Sequence, residues 1–406
     1  MNKKRFLFTS APLFSHLNWG GYLETAVELK KRGHDVVWAI EKGIVADRII
    51  KTGIEVVEVK TTGWHWMLPY EPPDFTPEGR QAYQLMCYFA KWFPIEQVMV
   101  ATQSLMDLVH DRNSDIIVSD PFLTAPALAT EKLSMPYAIV GLPDVAPDKT
   151  QRSVKSWLDN AMKDGMIYLD RLCDMFDVAG KHFIQHENII SPHSPYLHIS
   201  FFSETWHGTK SHMPQNRFAG GKKSEPIGAP PAWMQSLPSE LPLVFISLGS
   251  STNFEPEIFF LAAKAIQTFK AFPIIETYDS QLTASLRWMM PPHFAAIHDE
   301  IDYDHLFPKL ACIVHSASPE TTHPALLHAL PHVALYLGDV RKSHVHLVAQ
   351  AKLGKMIEGT KATPENLRRA LSDVMLDEAI KRQAIKHQTE FASLPGVKGA
   401  ADWLEG

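Results

Sequence analysis

Cysteine is scarce: Cys87, Cys173 and Cys312 are the only three in 406 residues, far apart and with no CxxC pair. That usage suits a reducing compartment and excludes a cysteine-built zinc site on spacing. No run of about 18 consecutive apolar residues occurs, so no transmembrane segment is expected. The apolar run Phe6 to Leu13 behind the basic start is broken by Thr9, Ser10 and Pro12, and no A-x-A-like cleavage site follows. It reads as a first strand rather than a signal peptide, and a cytoplasmic protein is the expectation. Positive charge is not in excess: the formal net charge of −6 argues against a nucleic-acid partner. G-x-G-x-x-G is missing after the first strand, where the loop reads SAPLFSHLNWGG. A dinucleotide-dependent oxidoreductase is disfavoured on that ground.

What is present fits a globular chain of two domains, roughly 200 residues each. Phe6 to Thr9 is β-prone. Tyr22 to Arg32 has helical periodicity, with Leu23, Ala26, Val27 and Leu29 on one side, and Gly33 stops it. Val36 to Ile40 is the next strand, completing a βαβ unit, and Ile54 to Val59 a third. Gly63 to Trp92 is aromatic and irregular, and a long helix then ends near His110. Asp115 to Ser119 reads as a strand, Pro121 to Leu133 as a helix, Tyr137 to Gly141 as a strand and Thr150 to His186 as helical. Tyr196 to Phe202 reads as the last strand of this half. Glycine and proline between Asn216 and Pro242 mark a linker. The pattern restarts with strands at Leu243 to Leu248, Pro273 to Thr277, Cys312 to His315 and His332 to Leu337. Helices fall at Ile258 to Phe269, Thr322 to Ala329 and Ser343 to Ala351. The expectation is an α/β protein of two Rossmann-like halves facing a cleft, with ligands at the carboxyl ends of parallel strands. Its divisions are 1–215, a linker at 216–241, 242–385, and a C-terminal segment 386–406 packing back on the first domain.

Several polar residues fall at strand ends. His16 lies in the loop after the first strand, where an imidazole can take a proton from a hydroxyl; it is also one of 20 histidines. Asp120 directly follows a strand. It can orient a histidine ring, or simply cap the helix expected from Pro121. In VHSASPETTHPA, Ser316, Ser318, Thr321 and Thr322 surround a helix start, where free N–H groups favour anions such as a diphosphate. His315 or His323 would add a donor. The same hydroxyls are ordinary caps, and Glu320 would repel phosphate if it faced the site. Gly249 with Ser250, Ser251 and Thr252 offers a second, weakly specific turn. Asp339, after the strand at His332, can accept from sugar hydroxyls or cap the next helix.

As an ordered set these segments resemble family 1 glycosyltransferases, the macrolide, sterol, carotenoid and flavonoid glucosyltransferase group with the GT-B fold. The segments are PLFSHLNWGGYLETAVELKKRGHDVVWAIE, IIVSDPFLTAPALATEKLSMPYAIVG, PLVFISLGSS and CIVHSASPETTHPALLHALPHVALYLGDVRKSHVHLVAQAKLG. The resemblance implies inverting transfer of a hexose from a UDP- or dTDP-linked donor to a hydroxyl of a small apolar acceptor, without a metal. It implies His16 as base and Asp120 as its partner. Ser250, Ser251, Tyr303, His315, Ser316, Ser318, Thr321, Thr322 and Asp339 would bind the donor. Trp64, Trp66, Tyr70 and Trp92 would line an acceptor pocket, or else pack an irregular helical subdomain. The chain departs from the family where it matters for phosphate. Ser316 to Glu320 replaces a glycine-rich loop, and Pro319 lacks an N–H. The sugar-holding pair reads Asp339-Val340, and the family's base-stacking tryptophan and its glutamine fall on Glu300 and Tyr303. A non-catalytic glycosyltransferase-like binding protein is the alternative these departures leave.

Overall fold

The computed structural model describes residues 3–17, 20–65, 92–141, 156–186, 189–208, 213–221, 226, 228–249, 255–336 and 342–406. Of these, Ser15, His16, 156–165, Gln185, His186, Ile189, 342–344 and Thr360 are described by backbone alone. The chain divides into two compact units. The first holds 1–201, 209–219 and 397–406, and the second 202–208 and 220–396.

The first unit is built on β1 (Arg5–Thr9), β2 (Asp35–Ile40), β3 (Glu55–Glu58), β4 (Ile116–Ser119) and β5 (Tyr137–Val140). An antiparallel hairpin, β6 (Phe183–His186) and β7 (Ile189–Pro192), stands apart from the sheet. The sheet is completed by β8 (Leu197–Ser200) and β9 (Asn216–Phe218), in the order β3-β2-β1-β4-β5-β8-β9, all pairs parallel. Alternation along the strands feeds two cores. Leu7, Val37, Ala39, Ile117 and Ile139 pack on one face; Phe6, Phe8, Val36, Trp38, Val118 and Ala138 pack on the other. Because both faces are covered, the central strands β1, β2, β4 and β5 read as nearly unbroken apolar runs. The helix Tyr22–Lys31 lies against the second face, where Gly21 admits the ring of Phe201: a Cβ there would come within 2.3 Å of it.

The second unit repeats the plan with β10 (Leu243–Ser247), β11 (Phe272–Glu276), β12 (Ala296–His298), β13 (Leu310–His315), β14 (His332–Tyr336) and β15 (Gly354–Glu358). Their order is β12-β11-β10-β13-β14-β15, again parallel throughout. Each unit therefore reverses its strand order beside its first strand, the arrangement of a Rossmann-like domain, which places ligand-binding loops at the carboxyl ends. Among the described residues no helix is long and apolar enough to cross a membrane.

Several elements differ from the sequence reading. The helix expected from Pro121 begins at Thr124, because Asp120 and Phe122 first close a turn. Of the helical reading of Thr150 to His186, Thr150 to Lys155 lie outside the described residues, Ser156–Phe176 is a helix, and the chain then turns into the hairpin. The helix expected from Thr322 starts at Pro319, which occupies the first helical turn as proline favours. Asn216–Phe218, inside the segment read as linker, forms the edge strand β9.

Candidate functional site

In the first unit, β1 and β4 are neighbours with Thr9 opposite Ser119, so the loops after them leave from the same sheet end. Asp120 sits there, fully buried. Its Oδ2 accepts from the Ala11 amide at 2.8 Å and its Oδ1 from the Phe122 amide at 2.8 Å. It is therefore not the helix cap: Leu123 holds that position, and no side chain caps the helix Thr124–Leu133. The carboxylate instead ties the end of β4 to the loop after β1. That loop continues into the single turn Phe14–Leu17, which contains His16. The position of the His16 imidazole lies outside the described side chains.

Two buried phenols frame this carboxylate. The Tyr22 hydroxyl donates to the carbonyls of Thr9 (2.8 Å) and Val118 (2.9 Å), joining the ends of β1 and β4. Burial, and then the charge of Asp120, holds the Tyr22 phenol well above its usual range. Tyr137 pairs with the Ser119 hydroxyl at 2.9 Å, and burial likewise raises its phenol. The end of the sheet thus holds a buried carboxyl group among fixed hydroxyls. Such a group can orient a neighbouring imidazole and stabilise its protonated form.

The aromatic residues divide. Trp92 is 8% exposed and packs edge-on against Phe122 at 4.7 Å, so it is a core residue. Trp64 is half-buried and meets the same Phe122 ring at 6.3 Å. Packing accounts for both. Trp66 and Tyr70 lie outside the described residues.

In the second unit, β13 ends on His315 and leads through Ser316 and Ala317 to the helix Pro319–Leu327. The fully buried His315 spends both ring nitrogens inside the protein: Nδ1 meets the Thr321 hydroxyl at 3.1 Å and Nε2 meets Nδ1 of His332 at 2.9 Å. Burial, then the neighbouring His332, keeps His315 neutral far into the acid range, and burial pushes His332 down to about 3. Ser318 leaves the helix uncapped and pairs with the Thr321 hydroxyl at 3.1 Å. The amides of Thr321 and Thr322 both donate to the Ser318 carbonyl. Ser316 is buried as well, and the Thr322 hydroxyl, 1% exposed, has no hydrogen-bond partner among the described residues. His323 turns Nε2 to the Gly220 carbonyl at 3.4 Å. The structure therefore brings His315, Ser318 and Thr321 together, as an internally satisfied network rather than a row of spare donors.

Tyr303 is also engaged inward. Its hydroxyl donates to Glu276 Oε2, with the Tyr278 hydroxyl 2.6 Å away, and its ring packs on Phe307 at 4.6 Å. Glu276, the last residue of β11, is buried and also accepts from the Ser247 hydroxyl (3.2 Å) and the Ile301 amide (3.0 Å). Burial pushes its carboxyl up to about 7 against these hydrogen bonds. Glu320, 6% exposed on the first turn of the helix, is pushed up to about 8 by burial and then by the charge of Glu276. Neither Glu276 nor His332 carries a sequence signal of its own; each reaches the site only through strand register. Trp233 stacked on His298 at 4.1 Å, at the carboxyl end of β12, was likewise invisible in the sequence. Glu300 is exposed. Ser250, Ser251 and Asp339 lie outside the described residues.

No family model matches the chain. It is 21% identical to 4'-demethylrebeccamycin synthase of Lentzea aerocolonigenes, an alignment covering 99% of each protein. Among solved structures it superposes on the glycotransferase of kitacinnamycin with a TM-score of 0.77 at 17% identity, covering 100% of this chain and 99% of that one. A spinosyn rhamnosyltransferase complexed with thymidine diphosphate matches with a TM-score of 0.72 at 17% identity, covering 99% and 100%. The chain thus has the two-domain GT-B fold of these glycosyltransferase structures, and its similarity to the synthase runs along its whole length.

Proposed function

We propose that the chain transfers a hexose, with inversion, from a nucleoside diphosphate sugar to a hydroxyl of a small apolar acceptor. The observation that carries this reading is the buried Asp120 carboxylate, bonded to the Ala11 amide at the root of the loop that bears His16. In this mechanism the His16 imidazole takes the acceptor's hydroxyl proton as the oxygen attacks the anomeric carbon. The bond from that carbon to the diphosphate oxygen breaks, and the diphosphate departs with the electron pair. Asp120 holds the ring in place and offsets the charge of the imidazolium. The second unit supplies the donor site: the amino end of the helix Pro319–Leu327 for the diphosphate, with Ser250 and Ser251 beside it and Asp339 on the sugar. Helix-end dipoles and hydroxyls serve the leaving group, so the reading requires no metal. The thymidine diphosphate bound by the spinosyn rhamnosyltransferase favours dTDP as the donor's nucleotide. A cytoplasmic setting fits such a donor.

Calorimetry with dTDP, dTDP-glucose and UDP-glucose tests the donor half. His16→Ala tests the base: transfer is expected to fall by about 10²- to 10⁴-fold with nucleotide affinity nearly intact. Unchanged turnover in that variant removes His16 from the mechanism. A second reading, a binding protein that has lost catalysis, is favoured by Glu320 at the phosphate position and by Ala317, a non-glycine residue at φ 57 in the adjoining loop. Failure of all three nucleotides to bind would favour it.

A further inference from the structure

Glu276 and Glu320 are buried at the carboxyl end of the second sheet, and among the described residues neither is paired with a cation. Their surroundings differ in kind. Glu276 receives hydrogen bonds from the Ser247 hydroxyl, the Ile301 amide and the Tyr303 hydroxyl, all of which favour its anion. Glu320 leaves Oε2 without a hydrogen-bond partner among the described residues, although the residue is only 6% exposed. A buried oxygen in that position is far less costly on a neutral acid than on a carboxylate. The groups acting on Glu320 are Glu276 and Tyr278 from the end of β11, and Glu300 from the turn after β12; Tyr303 acts on Glu276 in turn. All are acids, and only the Tyr278 hydroxyl favours ionisation of Glu320. Two carboxyls that feel each other in a dry site do not both ionise, and the proton belongs on the one with fewer donors.

We propose that Glu276 and Glu320 share one proton, carried by Glu320, and that this neutral carboxyl is what admits a diphosphate at the amino end of the helix Pro319–Leu327. The phosphate half of the proposal rests on the donor reading above; the shared proton does not. Ionised, Glu320 would set a negative charge against the phosphates on the one helix turn that is to hold them. Neutral, it sets no charge against them.

The test is the affinity for thymidine diphosphate between pH 7 and 9.5, where the ligand's own phosphates no longer titrate. The wild-type protein is expected to lose affinity roughly tenfold per pH unit once Glu320 ionises. Glu320→Gln, neutral at every pH, is expected to bind as the wild type does at pH 7 and to stay flat. Glu276→Gln removes the neighbouring charge and is expected to let Glu320 ionise more easily, moving the loss of affinity to lower pH. A flat wild-type profile, or the same fall in Glu320→Gln, overturns the proposal. Urea unfolding over the same range separates it from the donor reading. If no protein binds the nucleotide but wild-type stability falls with pH while that of Glu320→Gln does not, the donor reading fails and the shared proton stands. If the two stabilities run parallel, the shared proton is overturned.

Discussion

Asp120 gives each carboxylate oxygen an amide N–H in a site closed to water. An asparagine in its place can accept only one of them and turns an N–H₂ toward the other. Asp120→Asn is therefore expected to cost about 1–3 kcal/mol of stability in chemical denaturation, from the unmet amide. If Asp120 also orients His16, kcat falls by about 10²-fold or more while the KM for the donor holds. A stability loss without a rate loss would leave Asp120 a structural tether only. This residue was legible in the sequence because its position after an apolar strand states its place in a parallel sheet. The direction of its hydrogen bonds was not, since the helix-cap reading used the same residue. For Tyr303 the resemblance named the residue but not that its hydroxyl faces Glu276, a residue that no motif announces. His315 was legible as a strand end, yet its commitment to His332 depends on the pairing of β13 with β14.

At the scale of elements, long apolar strands and the helix Tyr22–Lys31 were readable because their periodicity is strong. The edge strands β12 and β15 were not. β12 is three residues long, and β15 reads GKMIE, half-exposed, with charged and polar positions where a central strand would be apolar. Gly354 opens β15 because a Cβ there would meet the His332 carbonyl at 1.7 Å, a constraint that belongs to the pair of strands and not to either sequence. The closing helix Gly396–Glu405 lies in the segment expected to pack back on the first domain, but no helix was read there. It buries Ala400, Ala401 and Leu404 in the first unit's second core. Arg32 holds its outer side, bonding Asp402 at 2.6 Å, Glu405 at 2.9 Å and the Lys398 carbonyl at 3.1 Å while also pairing with Glu28. Half-exposed ion pairs are individually weak, but one guanidinium here serves four acceptors. Arg32→Ala is expected to cost about 1 kcal/mol and to speed amide exchange across residues 397–405 well before the sheet is affected. Exchange in that helix at the wild-type rate would mean that its apolar face alone holds it.

For the molecule as a whole, the two units respond to pH differently, because the buried titratable pairs of opposite tendency both lie in the second. Glu276 and Glu320 together keep one proton in the fold that the unfolded chain releases above its ordinary carboxyl value of 4.5. Stability contributed by them is complete in acid and is lost as pH rises through their raised values. His315 and His332 do the reverse. The fold holds them neutral, while the unfolded chain gains protons below the ordinary histidine value of 6.5. Stability contributed by that pair is present above 6.5 and is lost as pH falls. The second unit is therefore expected to be most stable near about pH 6.5, with a limb on each side. Each buried histidine steepens the acid limb by up to about 1.4 kcal/mol per pH unit. His332→Asn keeps a donor near the position of Nδ1, so the contact with His315 can survive, but it removes one titrating group. Urea denaturation from pH 7 down to pH 5 is expected to give a limb shallower by about one proton, with the alkaline limb unmoved. An acid limb of unchanged slope would mean that His332 takes up its proton in the folded protein, and the neutral histidine pair behind the phosphate helix would have to be given up.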